Sequence, residues 1–294
     1  MNDRLRLAMQ KSGRLSDRSK DLLERAGITL EWRSGRLDCR ALDFPLDVML
    51  VRDDDIPEYI ADGVCHLGMV GANMLVERLD ARGKQGRYKT LRALEFGRCR
   101  LSLAVPKDSA LRSVRDLNGK RIATSYPNTV KRYLLEHQLE AEIVEISGSV
   151  EIAPTMGIAD AICDLVSSGG TLASNGLIEI ATVYASEAVL ARTSKALTPA
   201  QDDTLERLVT RLSGVVRAEK AKYIMMNAPA EAVELIRSLI PGLEEPTVMP
   251  LQGQRHRVAI HAVAPEPIFW ETMERLKAAG ASSILVVPIE KIFE

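Results

Sequence analysis

Residues 5–27 read LRLAMQKSGRLSDRSKDLLERAG. The apolar run from Leu5 to Met9 is typical of a buried strand, and the helical pattern from Ser16 to Ala26 stops at Gly27. The alternation continues with strand, helix and strand patterns at Val48 to Val51, Ile56 to Asp62 and Leu67 to Val70. Such β-α-β alternation predicts an open α/β sheet.

A second α/β unit follows a strand pattern at Leu101 to Val105, which ends at Pro106. Its predicted elements are strands at Arg121 to Ala123, Ile143 to Ile146 and Ala161 to Val166, with a helix at Asn128 to Glu136. We expect Val183 to Leu190 to be one strand that returns to the first unit, closed by a helix from Gln201 to Lys222. The pattern predicts two lobes with a ligand cleft between them.

From Tyr223 onward the rhythm changes to β-α-β-β-α-β, which predicts a ferredoxin-like domain. Its predicted elements are Lys222 to Met226, Glu231 to Leu239, Thr247 to Leu251, Arg257 to Val263, Glu266 to Ala279 and Ser283 to Pro288. The predicted division is therefore residues 1–105 with 183–222 as lobe I, 106–182 as lobe II and 223–294 as a third domain.

Composition excludes several classes of function. A net charge of -1 and an aromatic content of 4% argue against a nucleic-acid partner. We expect no membrane association, because every apolar run is shorter than the roughly 20 residues that span a bilayer. The N-terminus lacks the apolar core of a signal peptide, and the cysteines form no C-x-x-C pair. The sequence therefore predicts a cytosolic protein with reduced thiols and no tightly held zinc.

A glycine loop is the most informative chemical segment. Residues 160–172 read DAICDLVSSGGTL, a strand that runs through an acidic residue into two glycines. Consecutive N–H groups in such a turn form an anion-binding concavity, and the nearby serine and threonine hydroxyls add donors. Asp164 could orient a ribose hydroxyl or a magnesium-bound water. The alternative is an ordinary turn with a helix cap, and the missing Lys-Ser/Thr pair excludes a Walker loop.

Three further segments are weaker signals. Lys11 and Arg14 flank a glycine before a helix, where an anion is favoured, although this segment taken alone favours a solvated loop. In residues 124–133, Ser125 or Asn128 could cap a helix or hold a phosphate beside Lys131 or Arg132. Glu151 could place magnesium or a sugar hydroxyl. The run Arg52 to Asp55 is interpreted as helix N-terminal charge rather than a metal site.

In this order, the segments resemble the long form of the ATP phosphoribosyltransferase family across essentially the whole chain. The motifs that carry the resemblance are Gln10 to Leu15, Arg52 to Pro57, Asp62 to Gly71, Lys120 to Pro127, Gly148 to Glu151 and Asp164 to Leu172. His66 departs from the family pattern, which has aspartate before Leu-Gly, so His66 is left out of the expected site.

The resemblance implies a catalytic unit like the bilobed solute-binding proteins and a C-terminal regulatory domain that binds histidine. The implied binding residues for phosphoribosyl diphosphate are Asp164, Ser167, Ser168, Gly169, Gly170, Thr171, Leu172 and Glu151. Those for ATP are Lys11, Arg14, Arg52, Ser125 and Tyr126. Mg²⁺ is the implied cofactor, with Asp164 and Glu151 as its candidate ligands. Strand ends and a turn place Asn227, Thr247, Ser282 and Ser283 as candidates for the histidine site, although capping and turn chemistry would explain them too.

The implied reaction is the first step of histidine biosynthesis, in which adenine N1 displaces diphosphate from the ribose. The resemblance also implies inhibition by histidine, a homo-oligomer of dimers and hexamers, and no separate regulatory subunit. Two alternatives stay open. A solute-binding or effector-sensing module predicts an export signal or a DNA-binding helix pair, and neither is seen. An inactive regulatory subunit predicts damage to the glycine loop or the Lys11 loop, and both are intact.

Overall fold

The computed structural model describes residues 3–31, 35–240, 242, 245–265 and 270–293. The strands are β1 Leu5–Gln10, β2 Leu30–Glu31, β3 Asp38–Ala41, β4 Leu46–Val51, β5 Leu67–Gly71, β6 Tyr88–Ala93, β7 Cys99–Pro106, β8 Arg121–Thr124, β9 Glu142–Glu145, β10 Ala161–Val166, β11 Leu177–Ser186, β12 Ala188–Thr193, β13 Ala221–Pro229, β14 Thr247–Leu251, β15 Gln254–Pro265 and β16 Ser282–Pro288. The α-helices are α1 Arg14–Arg25, α2 Ile56–Ala61, α3 Ala72–Arg78, α4 Pro127–Glu136, α5 Gly170–Ser174, α6 Pro199–Glu219, α7 Val233–Leu239 and α8 Trp270–Ala278. Over these ranges, no helix is long and apolar enough to cross a membrane.

The chain forms two compact units, whose division falls within α6. The first unit comprises Met1–Glu24 and Ile28–Leu205, and the second comprises Arg25–Gly27 and Glu206–Glu294. The first unit contains a seven-stranded sheet and a five-stranded sheet, which we call the sheets of lobe I and lobe II. The lobe limits expected at 105, 183 and 222 stay predictions.

The lobe I sheet has the order β2-β3-β4-β1-β5-β12-β6, and its centre is parallel. Leu5, Leu7 and Met9 of β1 are fully buried, as the apolar run predicts. Helix α1 turns the face with Leu22 and Leu23 inward. The β-α-β prediction for the start of the chain is confirmed.

The lobe II sheet has the order β11-β7-β10-β8-β9. Strand β8 pairs in parallel with both β9 and β10, while β7 pairs antiparallel with β10 and β11. Strand β10 occupies the residues predicted for it. The mixed α/β class is confirmed in both lobes.

The prediction of one strand from Val183 to Leu190 is wrong. Strand β11 ends at Ser186 in the lobe II sheet, and β12 begins at Ala188 in the lobe I sheet. The polar residues Ser186 and Glu187 interrupt the apolar pattern, but a pattern does not show which sheet each side joins, so it could not show that the chain changes sheets at Glu187. The other crossing between the sheets lies between Ala93 and Cys99.

The second unit contains an antiparallel sheet of order β14-β15-β13-β16 with helices α7 and α8. In the order of the chain, this is a 2-3-1-4 arrangement of a β-α-β-β-α-β unit, and it confirms the ferredoxin-like prediction. Its core includes Ile224, Met226, Ile236 and Leu276. Part of the predicted helix Glu266 to Ala279, residues 266–269, lies outside the described residues.

Candidate functional site

The carboxyl ends of β1 and β4 bring two predicted ATP-binding residues to one edge of the lobe I sheet. Gln10 lies opposite Val51 in the parallel register, and the Lys11 N–H donates to the Val51 carbonyl at 2.9 Å. Lys11 and Arg52 follow these two strand ends directly, and both are exposed. In open α/β sheets, ligands bind at such carboxyl edges.

The turn after β1 is held by its own residues. The Ser16 hydroxyl donates to the Lys11 carbonyl at 3.2 Å, and Ser16 is fully buried. Gly13 has a φ of 101°, which an L residue with a side chain rarely adopts. This turn leads Arg14, which is exposed, into the first turn of α1.

The carboxyl ends of β8 and β10 meet at the corresponding edge of the lobe II sheet. The Thr124 hydroxyl donates to the Cys163 carbonyl at 2.7 Å and accepts from the Tyr126 N–H at 2.9 Å. This bridge sets Ser125 and Tyr126 beside the strand that continues into Asp164. Ser125 is exposed, whereas Tyr126 is buried.

One cavity gathers most of the predicted phosphoribosyl diphosphate site. Its volume is about 170 Å³, smaller than the roughly 300–1,000 Å³ of pockets that enclose a drug-sized ligand. It can therefore enclose part of a substrate. Its lining comprises Arg14, Glu151, Asp164, Leu165, Val166, Ser167, Ser168, Gly169, Gly170, Thr171 and Leu172.

This cavity joins the two lobes, because Arg14 comes from α1 and the other lining residues come from lobe II. The structure thus brings together one predicted ATP-binding residue and all eight predicted phosphoribosyl diphosphate residues. Lys11, Arg52, Ser125 and Tyr126 lie outside this cavity, at the two sheet edges described above.

The cavity lining includes two carboxylates, Asp164 and Glu151. Burial raises the pKa of Asp164, and the charge of Glu151 raises it further. The Leu165 N–H donates to the Asp164 Oδ1 at 2.8 Å, and this hydrogen bond partly opposes the rise. Two carboxylates that repel each other favour a cation or hydroxyl donors between them. In the described part of the chain, no group of three or more histidine, cysteine, aspartate or glutamate side chains could hold a metal ion.

The N-terminus of α4 is capped from the other lobe. Both carboxylate oxygens of Glu77, on α3, accept hydrogen bonds from the backbone N–H and the side chain of Asn128 and of Thr129, at 2.7–3.0 Å. Glu77 is only 3% exposed. The prediction that Ser125 or Asn128 caps this helix is therefore wrong, because the cap comes from a residue far away in sequence.

The same contacts exclude a phosphate on the amides of Asn128 and Thr129, since these amides already donate to Glu77. Arg132 lies 3.7 Å from Glu136 on its own helix, and Lys131 is exposed. Neither cation lines the cavity described above.

Residue Asn73 makes a second bridge, one helical turn before Glu77. Its Nδ2 donates to the Tyr126 hydroxyl at 3.1 Å, and its Oδ1 accepts from the Ser186 hydroxyl at 2.9 Å. Sequence analysis selected neither Asn73 nor Glu77. The available signal was two polar residues four apart in a helix whose intervening residues, Met74 to Val76, are apolar, which places the two on one face.

The acidic run before α2 forms a short 3-10 helix, Asp53–Asp55. Asp54 pairs with Arg78 at 2.9 Å. Asp53 is half-buried, and its Oδ1 has no hydrogen-bond partner within the described part of the chain. Burial, and then the charge of Asp54, raise the pKa of Asp53 to about 6. The run precedes a helix, as expected.

His66 fills a structural position. Its Nδ1 accepts a hydrogen bond from the Arg6 N–H at 3.0 Å, and burial lowers its pKa. A neutral imidazole can accept this bond, so the histidine can stand in for the aspartate of the family pattern as a backbone acceptor.

The predicted histidine-site residues divide into two places. Asn227 lies opposite Ser282 on neighbouring strands, and Arg257 donates to the Ser282 hydroxyl at 2.7 Å. Ser283 follows with a φ of 52°, beside a bulge in the pairing of β13 with β16. Thr247 is on β14, which β15 separates from β13, and the registers align it with Met225, so it lies two strands across and two residues along from Asn227, about 12 Å away.

Comparisons with known proteins cover most of the chain. The family model for ATP phosphoribosyltransferase (HisG) matches residues 52–214, more than half of the chain. The model for the HisG C-terminal domain matches residues 218–291.

Solved structures are also similar. The ATP phosphoribosyl transferase (HisG:HisZ) complex from Thermotoga maritima includes a chain with 27% identity and a TM-score of 0.60, over 71% of this chain and 98% of that one. The alkanesulfonate-binding protein SsuA from Xanthomonas axonopodis pv. citri has 18% identity and a TM-score of 0.45, over 71% and 72%. A periplasmic binding protein from Brucella ovis has 10% identity and a TM-score of 0.48, over 74% and 69%. Scores below 0.5 tell nothing about ligand or activity.

The chain has a two-lobed α/β unit with a glycine-loop cavity and a ferredoxin-like C-terminal domain. Together with the matches to the two family models, this architecture defines an enzyme of the pentosyltransferase class. The chain belongs to the ATP phosphoribosyltransferase family of histidine biosynthesis, in its long form.

Proposed function

We propose that this enzyme acts in the cytosol and transfers the phosphoribosyl group of 5-phosphoribosyl 1-diphosphate to N1 of the adenine of ATP. The products are 1-(5-phosphoribosyl)-ATP and diphosphate. The observation that carries the proposal is the cavity that joins Arg14 to Glu151, Asp164 and the glycine loop. The cavity combines a cationic side chain and a loop whose N–H groups can bind an anion with carboxylates that can accept from sugar hydroxyls. A substrate that carries both phosphate and ribose groups requires this combination.

The glycine loop holds phosphoribosyl diphosphate in this proposal. Gly169 has a φ of 84°, so the loop bends where a side chain would be strained, and no heavy atom of the described residues lies within 4 Å of the place a Cβ would take. The exposed hydroxyls of Ser167, Ser168 and Thr171 donate to phosphate oxygens. Asp164 and Glu151 accept hydrogen bonds from the ribose hydroxyls.

ATP binds from the lobe I side. Lys11, Arg14 and Arg52 supply positive charge where β1 and β4 end, and all three are exposed to an incoming nucleotide. Ser125 and Tyr126 approach from the end of β8. With a net charge of -1 for the chain, this local charge must attract the polyphosphate.

The reaction is a displacement at the anomeric carbon of the ribose. Adenine N1 is neutral, so its lone pair forms the new C–N bond while the C–O bond to diphosphate breaks and both bonding electrons leave with the diphosphate oxygen. The protein has to align the two substrates and to stabilise the leaving negative charge, which requires no covalent intermediate.

Mg²⁺ fits the residues present. Among the described residues, Asp164 and Glu151 are the two carboxylates that line this cavity, and so small a set suits an ion that keeps several waters and also binds substrate phosphates. When bound, Mg²⁺ neutralises negative charge on the diphosphate. The positioning of that diphosphate still depends on Arg14 and the loop amides.

The test is direct. Purified protein is mixed with ATP, phosphoribosyl diphosphate and magnesium, and diphosphate release is measured together with the absorbance of the N1-linked nucleotide. Arg14→Gln should lower turnover strongly, and Arg18→Gln is the matched control, because Arg18 lies on the same helix but outside the cavity. Diphosphate release without ATP, or no release at all, would contradict the proposed reaction.

Regulation and assembly are part of the same proposal. The C-terminal domain is complete across its sheet and matches the family's C-terminal domain, so we propose that it binds histidine and inhibits the enzyme. We also propose a homo-oligomer, through dimers and hexamers, without a separate regulatory subunit. Histidine can inhibit at a distance only if it favours an inactive arrangement of domains or subunits.

A further inference from the structure

We propose that Asn73 and Glu77 of α3 are positioning residues for the reaction, and we call this pair the α3 clamp. The inference rests on the proposed function for its catalytic consequence. The clamp holds the start of α4, in lobe II, against lobe I, and thereby sets the distance between the lobe I cations and the glycine loop.

The clamp is built from buried polar groups. Asn73 and Glu77 are 6% and 3% exposed, and they lie four residues apart on one face of α3. A carboxylate buried to this extent is tolerated only when its oxygens are fully hydrogen-bonded, and the four donors from Asn128 and Thr129 meet that requirement. Gly71 leaves the necessary space, because a Cβ there would lie 2.3 Å from the Asn73 Oδ1.

The clamp is connected to the cavity through named hydrogen bonds. Asn73 donates to the Tyr126 hydroxyl, the Tyr126 N–H donates to Thr124, and the Thr124 hydroxyl donates to the Cys163 carbonyl at 2.7 Å. Asp164, which follows Cys163, lines the cavity. A change in how α4 sits on α3 therefore moves the strand end that carries the glycine loop.

The α3 clamp also forms hydrogen bonds with the segment in which the chain passes from lobe II to lobe I. The Ser186 hydroxyl donates to the Asn73 Oδ1 and accepts from the Asn73 N–H at 3.0 Å, and Ser186 is the last residue of β11 before the chain enters the lobe I sheet. The α3 clamp thus restrains both the crossing from β11 to β12 and the start of α4. Since Arg14 belongs to lobe I and the loop to lobe II, catalysis needs that restraint, whereas holding phosphoribosyl diphosphate relies mainly on lobe II.

The decisive variant is Glu77→Gln, which places an amide donor opposite the donors of α4. We expect kcat to fall by about tenfold to a hundredfold, the range for a lost hydrogen bond to a charged group, with the affinity for phosphoribosyl diphosphate changed by less than about threefold. Arg78→Gln is the matched control, because Arg78 is on the same helix and pairs with Asp54 of its own lobe. We expect its kcat to change by less than about twofold.

Hydrogen exchange supplies a readout that does not depend on the reaction. The amides of Asn128 and Thr129 should exchange faster in Glu77→Gln than in the wild type and in Arg78→Gln, because Glu77 is their acceptor. If the wild type transfers no phosphoribosyl group but these amides respond, the proposed function fails and the clamp stands. Wild-type kcat in Glu77→Gln, or a loss of activity that only follows the loss of folded protein, would overturn the inference.

Should Glu77→Gln not fold, Thr129→Val removes one of the four donors and keeps the carboxylate. A fall in kcat of a few-fold, at unchanged affinity for phosphoribosyl diphosphate, is then expected. Unchanged kcat in a folded Thr129→Val protein would overturn the positioning role.

Discussion

Replacing Asp53 by asparagine should stabilise the protein at neutral and alkaline pH. Burial and the neighbouring Asp54 raise the pKa of Asp53 from 3.8 to about 6, and its Oδ1 is buried with no hydrogen-bond partner among the residues that the structure describes. That difference corresponds to a cost on the order of 3 kcal/mol for ionised Asp53 in the folded state. An asparagine can keep an oxygen at the buried position and removes the charge.

The pH dependence follows from the sign of the change. Because the folded protein holds this proton more tightly than the unfolded chain, the wild-type free energy of unfolding should fall as the pH rises from about 4 to about 6, and then level off. The advantage of Asp53→Asn should therefore be about 0.5 kcal/mol at pH 4 and on the order of 3 kcal/mol at pH 8. Urea unfolding of the full chain, followed by circular dichroism at both pH values, measures it.

Asp55→Asn is the matched control, because Asp55 belongs to the same 3-10 helix and is exposed. Its free energy of unfolding should change by less than about 0.5 kcal/mol at either pH. The reasoning would be refuted by an Asp53→Asn protein that is no more stable than the wild type at pH 8, or whose advantage is the same at pH 4 and pH 8.

Gly169→Val should abolish phosphoribosyl transfer while leaving the fold largely intact, because the φ of 84° strains any side chain there. Gly170→Ala should keep the loop shape, because among the described residues the nearest atom to its Cβ would lie at 3.7 Å. Turnover and circular dichroism spectra of the two variants test this difference. Lys11→Ala and Arg14→Ala should each weaken nucleotide binding by about tenfold to more than a hundredfold in calorimetry, and unchanged affinity in both would contradict the assignment. Thr247→Ala in the full chain should keep full activity and show weaker inhibition by histidine in the transfer assay. Regulation fails as a proposal if millimolar histidine neither binds nor inhibits an active wild-type enzyme.

Local patterns were enough for much of the secondary structure. Strands β10 and β14 occupy the residues predicted for them, because each is a short run bounded by clear punctuation. The order of elements in the C-terminal domain was sufficient for its ferredoxin-like fold. In the described part of this domain, the order of elements agrees with the prediction, although β13 and β15 are longer than predicted.

Such local patterns could not predict contacts between residues that are far apart in the sequence. The break at Glu187 separates two apolar stretches, each of which could belong to either sheet. The cap on α4 comes from Glu77, some fifty residues earlier in the chain, so the local cap candidates Ser125 and Asn128 gave the wrong answer. The family resemblance assigned Arg14 to ATP and the glycine loop to phosphoribosyl diphosphate, and only the folded cavity shows that they are neighbours.

The position of β12 has a consequence for synthesis on the ribosome. Strand β12 pairs with both β5 and β6, yet it is made nearly a hundred residues after β6 ends at Ala93. At about 5–20 residues per second, the open edge of β5, whose residues are all buried in the finished fold, waits on the order of ten seconds for its neighbour. The lobe II sheet is contiguous from Cys99 to Ser186, so it can close first. A nascent chain that stalls before Ala188 would present that unpaired edge to other chains, which is a route to aggregation.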